Sequence, residues 1–314
     1  MTKILDQKIT ENYSIYNGDC IEILGGLPDN SIGYCISSPP FASLYTYSNS
    51  ERDLGNCKDY ADFWESFKFM FSELYRVMKP GRSISFHCID LPTSKESDGY
   101  IGMIDFVGDL IRAFQKAGFI YHSRVVIWKD PLIEVTRTKA LGLQYKQICK
   151  DSSMCRQGIP DTLITFRKPG ENTEFIKHER DKGLGKYAGK KEYEPSKRDG
   201  EQKYAHRVWQ KYASPVWMDI DQTEVLSYRE ARDKNDEKHI CPLQLQVIER
   251  GIVLWSNTGD IVLDPFGGIG STGYIANQLD RKAVMCELKE SYFSQMVKHM
   301  ETVNKRKGRE FFNS

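Results

Sequence analysis

The chain has 314 residues and a formal net charge of +1, with 40% hydrophobic and 28% charged residues. That hydrophobic content is enough for a full core, and the length fits one large domain or a core with an inserted module. The apolar runs are too short for a membrane-spanning helix, and residues 1–7 lack the layout of a signal peptide, so we expect a cytoplasmic protein.

Basic residues are concentrated in the middle of the chain. Residues 124–168 carry nine Lys or Arg against four Asp or Glu, and residues 177–211 carry eleven against six. Contact with a nucleic-acid phosphate backbone requires a basic surface, which such segments could supply. An ordinary solvent-exposed face produces similar runs of charge. The eight cysteines are scattered without the spacing of a zinc site, so we expect neither a metal site nor structural disulfides.

Strand-like and helix-like segments alternate through the first 130 residues. Apolar residues at helical spacing predict a helix over residues 60–77, which ends before the stop signal Lys79-Pro80-Gly81. Those apolar residues are Phe63, Phe67, Met70, Phe71, Leu74 and Met78. The other predicted elements are strands at 13–16, 32–36, 83–89 and 119–128 and helices at 21–27 and 101–116.

The second half repeats this alternation after an interruption. A strand is predicted at 163–166, but residues 171–236 are polar and have no clear period, as in an insertion or peripheral module. The pattern then predicts a helix opening at Cys241-Pro242, with proline in its first turn. A strand at 260–263, a helix at 271–279, a strand at 283–287 and a C-terminal helix follow. Strands alternating with helices predict an α/β fold with a doubly wound, mostly parallel sheet.

A glycine-rich turn follows the predicted strand 260–263, at the kind of position where ligands bind in open α/β sheets. It reads Asp264-Pro265-Phe266-Gly267-Gly268-Ile269-Gly270-Ser271 and opens a helix. Gly268 and Gly270 permit close approach of a ligand, and the N–H groups of the helix start favour a carboxylate. The next strand ends in Glu287, where doubly wound nucleotide folds place an acid that bonds ribose hydroxyls. The alternatives are that the glycine-rich segment is only a tight structural turn and that Glu287 is only a surface residue. Gly268 and Gly270 lack the third glycine of the dinucleotide-binding fingerprint, which disfavours a dinucleotide ligand.

A rigid turn, Ser37-Ser38-Pro39-Pro40-Phe41, follows the predicted strand 32–36. A rigid Ser-Pro-Pro-aromatic turn at the end of a strand can hold a flat substrate group, and the Ser38 hydroxyl and the Pro39 carbonyl are its acceptors. The prolines fix φ and give positional precision, and Phe41 offers a π face. A packed Pro-Pro-aromatic turn is the alternative.

Together the two motifs resemble the catalytic and S-adenosylmethionine (SAM) motifs of DNA amino-methyltransferases, and their order resembles the circularly permuted class β. The resemblance implies a Rossmann-like SAM methyltransferase fold, SAM as cofactor, and double-stranded DNA with a flipped base as substrate. It assigns catalysis to Ser38, Pro39, Pro40 and Phe41. It assigns cofactor binding to Asp19, Asp264, Phe266, Gly268, Gly270, Ser271, Glu287 and His239. The family's usual His-Pro pair is broken in this chain, because Ile240-Cys241 separates His239 from Pro242.

The resemblance also divides the chain. Residues 1–130 would form the catalytic half and residues 237–314 the SAM-binding half, with a DNA-recognition region at 131–236 that contains the core strand 163–168. Tyr45 and Tyr47 could wall the base pocket. Candidate DNA contacts are Arg137, Lys139, Gln144, Lys146, Arg156, Gln157, Lys190, Lys191, Lys197, Arg198, Arg207, Trp209 and Lys211. A cognate restriction endonuclease and association with the nucleoid are further expectations.

The leading Ser38 favours cytosine N4 as the methylated atom. Adenine N6 stays open, because Ser37 replaces the usual threonine and some Ser-Pro-Pro-aromatic enzymes modify adenine. Protein glutamine methyltransferases are disfavoured, since they use Asn-Pro-Pro-Tyr with the glycine motif upstream. A catalytically silent nucleic-acid-binding module is the alternative from another class, against which the intact Ser38, Asp264 and Glu287 argue.

Overall fold

The computed structural model describes residues 4–40, 57, 59–93, 95–178, 184, 200–228, 231 and 242–311, apart from the side chains of 97, 200–202 and 304–311. The strands are β1 (Asp6–Ile9), β2 (Tyr13–Asn17), β3 (Ile32–Ser37), β4 (Met78–Cys88), β5 (Leu91–Pro92), β6 (Met103–Ile104), β7 (Ile120–Ile127), β8 (Asp161–Arg167), β9 (Val216–Trp217), β10 (Ile261–Asp264) and β11 (Lys282–Glu287). The helices are α1 (Cys20–Gly25), α2 (Tyr60–Val77), α3 (Lys95–Asp98), α4 (Phe106–Lys116), α5 (Pro131–Thr138), α6 (Tyr145–Lys150), α7 (Gly200–Tyr212), α8 (Leu245–Trp255), α9 (Ser271–Gln278) and α10 (Glu290–Phe311).

One nine-stranded sheet organises the fold, in the order β1-β2-β11-β10-β3-β4-β8-β7-β9. The central strands β2, β11, β10, β3 and β4 are parallel, whereas β8 is antiparallel to both of its neighbours. From β10 the chain continues through α9 to β11 on one side, and from β3 it continues through α2 to β4 on the other. The boundary between β10 and β3 is therefore the topological switch point, where open α/β sheets bind ligands. The predicted doubly wound, mostly parallel sheet is confirmed.

Helices cover both faces of the sheet. On one face α8, α9 and α10 pack against apolar strand residues that include Tyr34 and Ile36. On the other face α1, α2 and α4 pack against residues that include Cys35 and Phe86. The side chains of successive β3 residues therefore pack into the two hydrophobic cores on opposite faces of the sheet, as expected for a strand buried on both faces.

Several predicted boundaries agree with the structure, and three need correction. Helix α2 spans the predicted residues and runs directly into β4, which therefore begins at Met78 and not at residue 83. The helix predicted from residue 101 begins only at Phe106, because Asp105 accepts the Gly108 N–H at 2.8 Å as its N-cap and Met103–Ile104 pairs with Leu91–Pro92. The helix predicted to open at Pro242 begins at Leu245, so the proline lies outside it.

The middle of the chain contributes to the sheet at its far edge. Strand β9 pairs with β7, and its Trp217 is fully buried. Val208 and Tyr212 of α7 pack with Val253 of α8. These contacts attach part of the polar region to the core, while the predicted division into three segments stays a prediction. Within the described ranges, no helix is long and apolar enough to cross a membrane.

Candidate functional site

The two predicted motifs meet at the switch point. Strand β10 lies beside β3 in parallel register, with Leu263 opposite Cys35. Both strands end at the same edge of the sheet, and there the Ser37 hydroxyl donates to Asp264 Oδ1 at 2.5 Å. A direct hydrogen bond therefore joins the Ser-Pro-Pro turn to the glycine-rich turn.

Asp264 is the anchor of the glycine-rich turn. Its side chain is buried and accepts hydrogen bonds from Ser37 Oγ, from Thr272 Oγ1 at 2.6 Å and from the Phe266 N–H at 3.0 Å. Burial raises the pKa of the Asp264 carboxyl above its ordinary value, although these hydrogen bonds act in the opposite direction. Because the Asp264 side chain is buried and receives three protein donors, the geometry supports a positioning role for Asp264.

The turn itself leaves room for a ligand beside its backbone. Gly268 and Gly270 both have positive φ, at 53° and 93°. A Cβ added to Gly270 would lie 2.9 Å from Met296 Cγ, whereas one added to Gly268 would meet nothing within 4 Å. Gly270 occupies the N-cap position of α9 and has no side chain. The backbone N–H groups of the first turn, from Ser271 onward, therefore receive no side-chain cap. Phe266 stacks on Phe67, with ring centroids 6.1 Å apart.

Glu287 holds the tips of the neighbouring strands together. Its carboxylate accepts the Gly268 N–H at 2.9 Å and the Lys289 N–H at 2.7 Å. Its backbone carbonyl accepts the Gly18 N–H at 3.0 Å. Asp19, the residue after Gly18, caps α1 by accepting the Ile21 N–H at 2.8 Å. The predicted cofactor residues Asp19, Glu287 and Asp264 therefore lie at or just after the carboxyl ends of β2, β11 and β10.

The Ser-Pro-Pro turn is held by burial and by a hydrogen bond. Pro39 and Pro40 are buried, and the half-buried Ser38 donates its hydroxyl proton to the His87 carbonyl at 3.2 Å. That bond leaves the lone pairs of Ser38 Oγ available as acceptors. Phe41, His239, Tyr45 and Tyr47 lie outside the described residues, as do the candidate DNA contacts Lys190, Lys191, Lys197 and Arg198.

A buried charged cluster beside this turn escaped the sequence analysis. His87 Nε2 lies 3.2 Å from Asp161 Oδ2, without hydrogen-bond alignment, and Lys129 Nζ contacts the other Asp161 oxygen. Burial acts to raise the pKa of Asp161, but His87 and Lys129 outweigh it and lower the pKa to about 2. The one feature of the sequence that could have identified this cluster is position, since His87, Lys129 and Asp161 lie at or just beyond the ends of strands near the Ser38 turn.

The low pKa of Asp161 predicts a specific loss of stability in acid. Its ordinary pKa is 3.8, so the ionised carboxylate stabilises the fold above that pH, and the contribution disappears as pH falls toward about 2. The difference corresponds to about 2 kcal/mol. We expect the drop in unfolding free energy between pH 6 and pH 2.5, measured with urea, to be smaller in Asp161→Asn than in the unmodified protein. The exposed control Asp6→Asn should keep the full drop, and an equal drop in Asp161→Asn would contradict this assignment.

Comparisons with known proteins identify the family and the fold. The DNA methylase family model, which covers N6 and N4 methyltransferases, matches residues 32–298. The type II methyltransferase M.BglII of Bacillus subtilis is 28% identical over 280 residues, which cover 88% of this chain and 66% of M.BglII. The chain spans only 55% of a second type II methyltransferase that it matches.

Two solved structures share the fold. The Thermus thermophilus protein TTHA0409, crystallised with SAM, has a TM-score of 0.62 at 20% identity, and the match covers 94% of each chain. The cytosine-N4-specific PvuII DNA methyltransferase has a TM-score of 0.63 at 18% identity, covering 96% of this chain and 94% of its own. The predicted methyltransferase fold is therefore confirmed. Since the family model matches most of its length, the chain belongs to the N6/N4 DNA methylase family.

Proposed function

We propose that this protein transfers a methyl group from SAM to an exocyclic amino group of a DNA base. The hydrogen bond between Ser37 and Asp264, at 2.5 Å, is the observation that carries the proposal. It fixes a turn suited to an amino group next to a turn suited to a cofactor. Catalysis by orientation needs such a fixed juxtaposition of the two reactants.

The residues at the strand ends fit SAM. Gly268 leaves open space beside the backbone, the start of α9 suits a carboxylate, and Glu287 and Asp19 offer carboxylate acceptors for hydroxyl and amino groups. Phe266 and Ser271 complete this side of the site, and His239 is proposed to line the methionine end. When bound, SAM supplies an electrophilic methyl group. The same cofactor occurs in the TTHA0409 structure, which supports its assignment here.

The Ser-Pro-Pro turn is proposed to hold the target base after it has left the helix. Ser38 Oγ, whose own proton is committed to the His87 carbonyl, accepts one amino proton, and the Pro39 carbonyl accepts the other. These two acceptors turn the nitrogen lone pair toward the cofactor. Phe41 stacks on the base, and Pro40 stiffens the turn. The amino proton becomes acidic once the methyl has transferred, so no strong base is required.

The regional assignments extend this proposal. Residues 1–130 and 237–314 form the two halves of the catalytic core, and 131–236 supplies most DNA contacts. A DNA substrate would place the protein at the nucleoid. The relatives' designation as type II methyltransferases supports a cognate restriction endonuclease as a further partner.

We expect methyl from labelled SAM to enter mixed-sequence double-stranded DNA. Nucleoside mass spectrometry should then show N4-methylcytosine, because Ser38 leads the turn and the structurally similar PvuII enzyme is cytosine-N4-specific. A product containing only N6-methyladenine would overturn the choice of base but keep the methyltransferase. Binding of DNA without any methyl transfer would instead favour a catalytically silent nucleic-acid-binding module.

A further inference from the structure

Helix α10 packs directly against the glycine-rich turn. A Cβ added to Gly267 would lie 2.8 Å from Met296 Cε, and one added to Gly270 would lie 2.9 Å from Met296 Cγ. Met296 is fully buried and belongs to the core that packs α10 against the sheet. The turn therefore rests on a fixed side chain of α10, whereas a Cβ at Gly268 would meet nothing within 4 Å.

A histidine of the same helix holds the backbone of this turn. His299 Nδ1 donates to the Ile269 carbonyl oxygen, with the two atoms 2.8 Å apart. Because a carbonyl oxygen can only accept, Nδ1 must carry the proton. His299 Nε2 lies 3.0 Å from the amide nitrogen of Gln295, one helical turn earlier, and accepts from it. Gln295 is buried, so these two bonds set both the orientation and the tautomer of the ring.

The bond from His299 fixes one end of the peptide that joins Ile269 to Gly270. The turn fixes the other end, since the Gly270 N–H donates to the Gly267 carbonyl at 2.8 Å. A peptide plane flips readily where the next residue is a glycine, because glycine adopts either sign of φ. Gly270 has a φ of 93° in this turn. The His299 bond therefore acts against a flip, because a flipped carbonyl would lose this donor.

The orientation of this peptide decides which charge the turn presents to a ligand. The N–H groups at the start of α9, after Gly270, are positive dipole ends and suit a carboxylate. In the observed orientation the Ile269 carbonyl, a negative dipole end, is bound to α10. Turned away from α10, the same oxygen would place negative charge beside those N–H groups and weaken their attraction for an anion.

We propose that His299 is a positioning residue for the cofactor. It holds the Ile269 carbonyl against α10, so that the start of α9 keeps its positive dipole ends toward SAM, and Gln295 orients its ring. This inference rests on the proposed function. The two residues that the bond joins are 30 positions apart, and His299 lies outside both motifs, so neither motif indicates this role.

Two substitutions at position 299 separate this role from a merely structural one. The amide nitrogen of asparagine occupies the same place in its side chain as histidine Nδ1, so His299→Asn can still donate to the Ile269 carbonyl. His299→Leu cannot donate, although leucine favours a helix more than asparagine does. A merely structural role would therefore make His299→Asn the less stable variant and the weaker binder.

We expect the opposite order in the affinity for SAM. Calorimetric titration should show a loss of about tenfold in His299→Leu but of less than about threefold in His299→Asn, because only the second variant retains the donor. The exposed Ser294 lies on the same helix, so Ser294→Ala is the matched control and should leave SAM affinity unchanged.

Nitrogen-15 spectra of the histidine rings give a second readout, which needs no cofactor. The chain has six histidines, and the ring whose signals disappear in His299→Asn should be protonated on Nδ1 and not on Nε2. Unchanged SAM affinity in His299→Leu, an equal loss in both variants, or a ring protonated on Nε2 alone would overturn the assignment. If the unmodified protein binds SAM and transfers its methyl group in any of these cases, only the role of His299 fails. If it binds no SAM, the proposed function fails first.

Discussion

Asp264→Ala is expected to lower the free energy of unfolding by about 3–5 kcal/mol and to abolish measurable SAM binding. The substitution leaves Ser37 Oγ, Thr272 Oγ1 and the Phe266 N–H without their buried acceptor, and each unsatisfied buried donor costs about 1–3 kcal/mol. Relief from burying a carboxylate, whose pKa is already raised by burial, offsets part of this cost. Urea unfolding and calorimetric titration with SAM measure the two effects.

Two further variants separate stability from cofactor binding. Asp264→Asn keeps the shape and one acceptor oxygen, so its loss of stability should be smaller. Glu287→Gln should weaken SAM binding by about tenfold to a hundredfold. Its amide NH2 cannot accept one of the two backbone N–H groups, from Gly268 and Lys289, that the half-buried carboxylate accepts, so stability should fall by about 1–2 kcal/mol, less than in Asp264→Ala. Unchanged SAM affinity in both Asp264→Ala and Glu287→Gln would place the cofactor site elsewhere.

Ser38→Ala is expected to reduce the rate of methyl transfer by about a hundredfold to a thousandfold, with SAM affinity unchanged. The variant loses the oxygen that is proposed to accept an amino proton, while the buried Pro39 and Pro40 keep the turn in place. Single-turnover transfer from labelled SAM, with DNA in excess, measures this step directly.

Ser37→Ala is the matched comparison, since the adjacent serine has a different partner. Its hydroxyl bonds to Asp264, so its loss should weaken SAM binding and stability more than it slows transfer at saturating SAM. Equal kinetic defects in the two alanine variants would argue against a separate role for Ser38 in holding the base.

The sequence could predict the elements whose signals are local. Helix α2 agrees at both ends, because its apolar spacing and the Lys79-Pro80-Gly81 stop just after it are both local signals. Strand β1 was missed, since Asp6–Ile9 is mostly exposed and becomes a strand only by pairing with β2. The start of α4 was misplaced because an Asp cap outweighs the apolar residues that precede it.

For the site, the motifs identified the turns but not the partners of their side chains. The cofactor-binding role of Asp264 stays a prediction, and nothing in the sequence indicated the hydrogen bonds that its side chain accepts from Ser37 and Thr272. No sequence pattern links residues 227 positions apart, and that bond depends on the pairing of β3 with β10. His87 and Asp161 were missed for the same reason, because two antiparallel strands bring them together.

The pairing of β3 with β10 also constrains how the protein can be made. As the ribosome releases the chain, β3 gains β4 early, but its other edge has no partner until residues 261–264 have emerged. An apolar strand with an open edge can pair with other chains, so the nascent protein is vulnerable to aggregation over much of its synthesis. The edge proposed to bind the cofactor likewise needs β2, among the first strands released, and β11, the last strand of the described residues. Translation that stalls before residue 261 would therefore yield a chain with an unfinished sheet and no methyltransferase site.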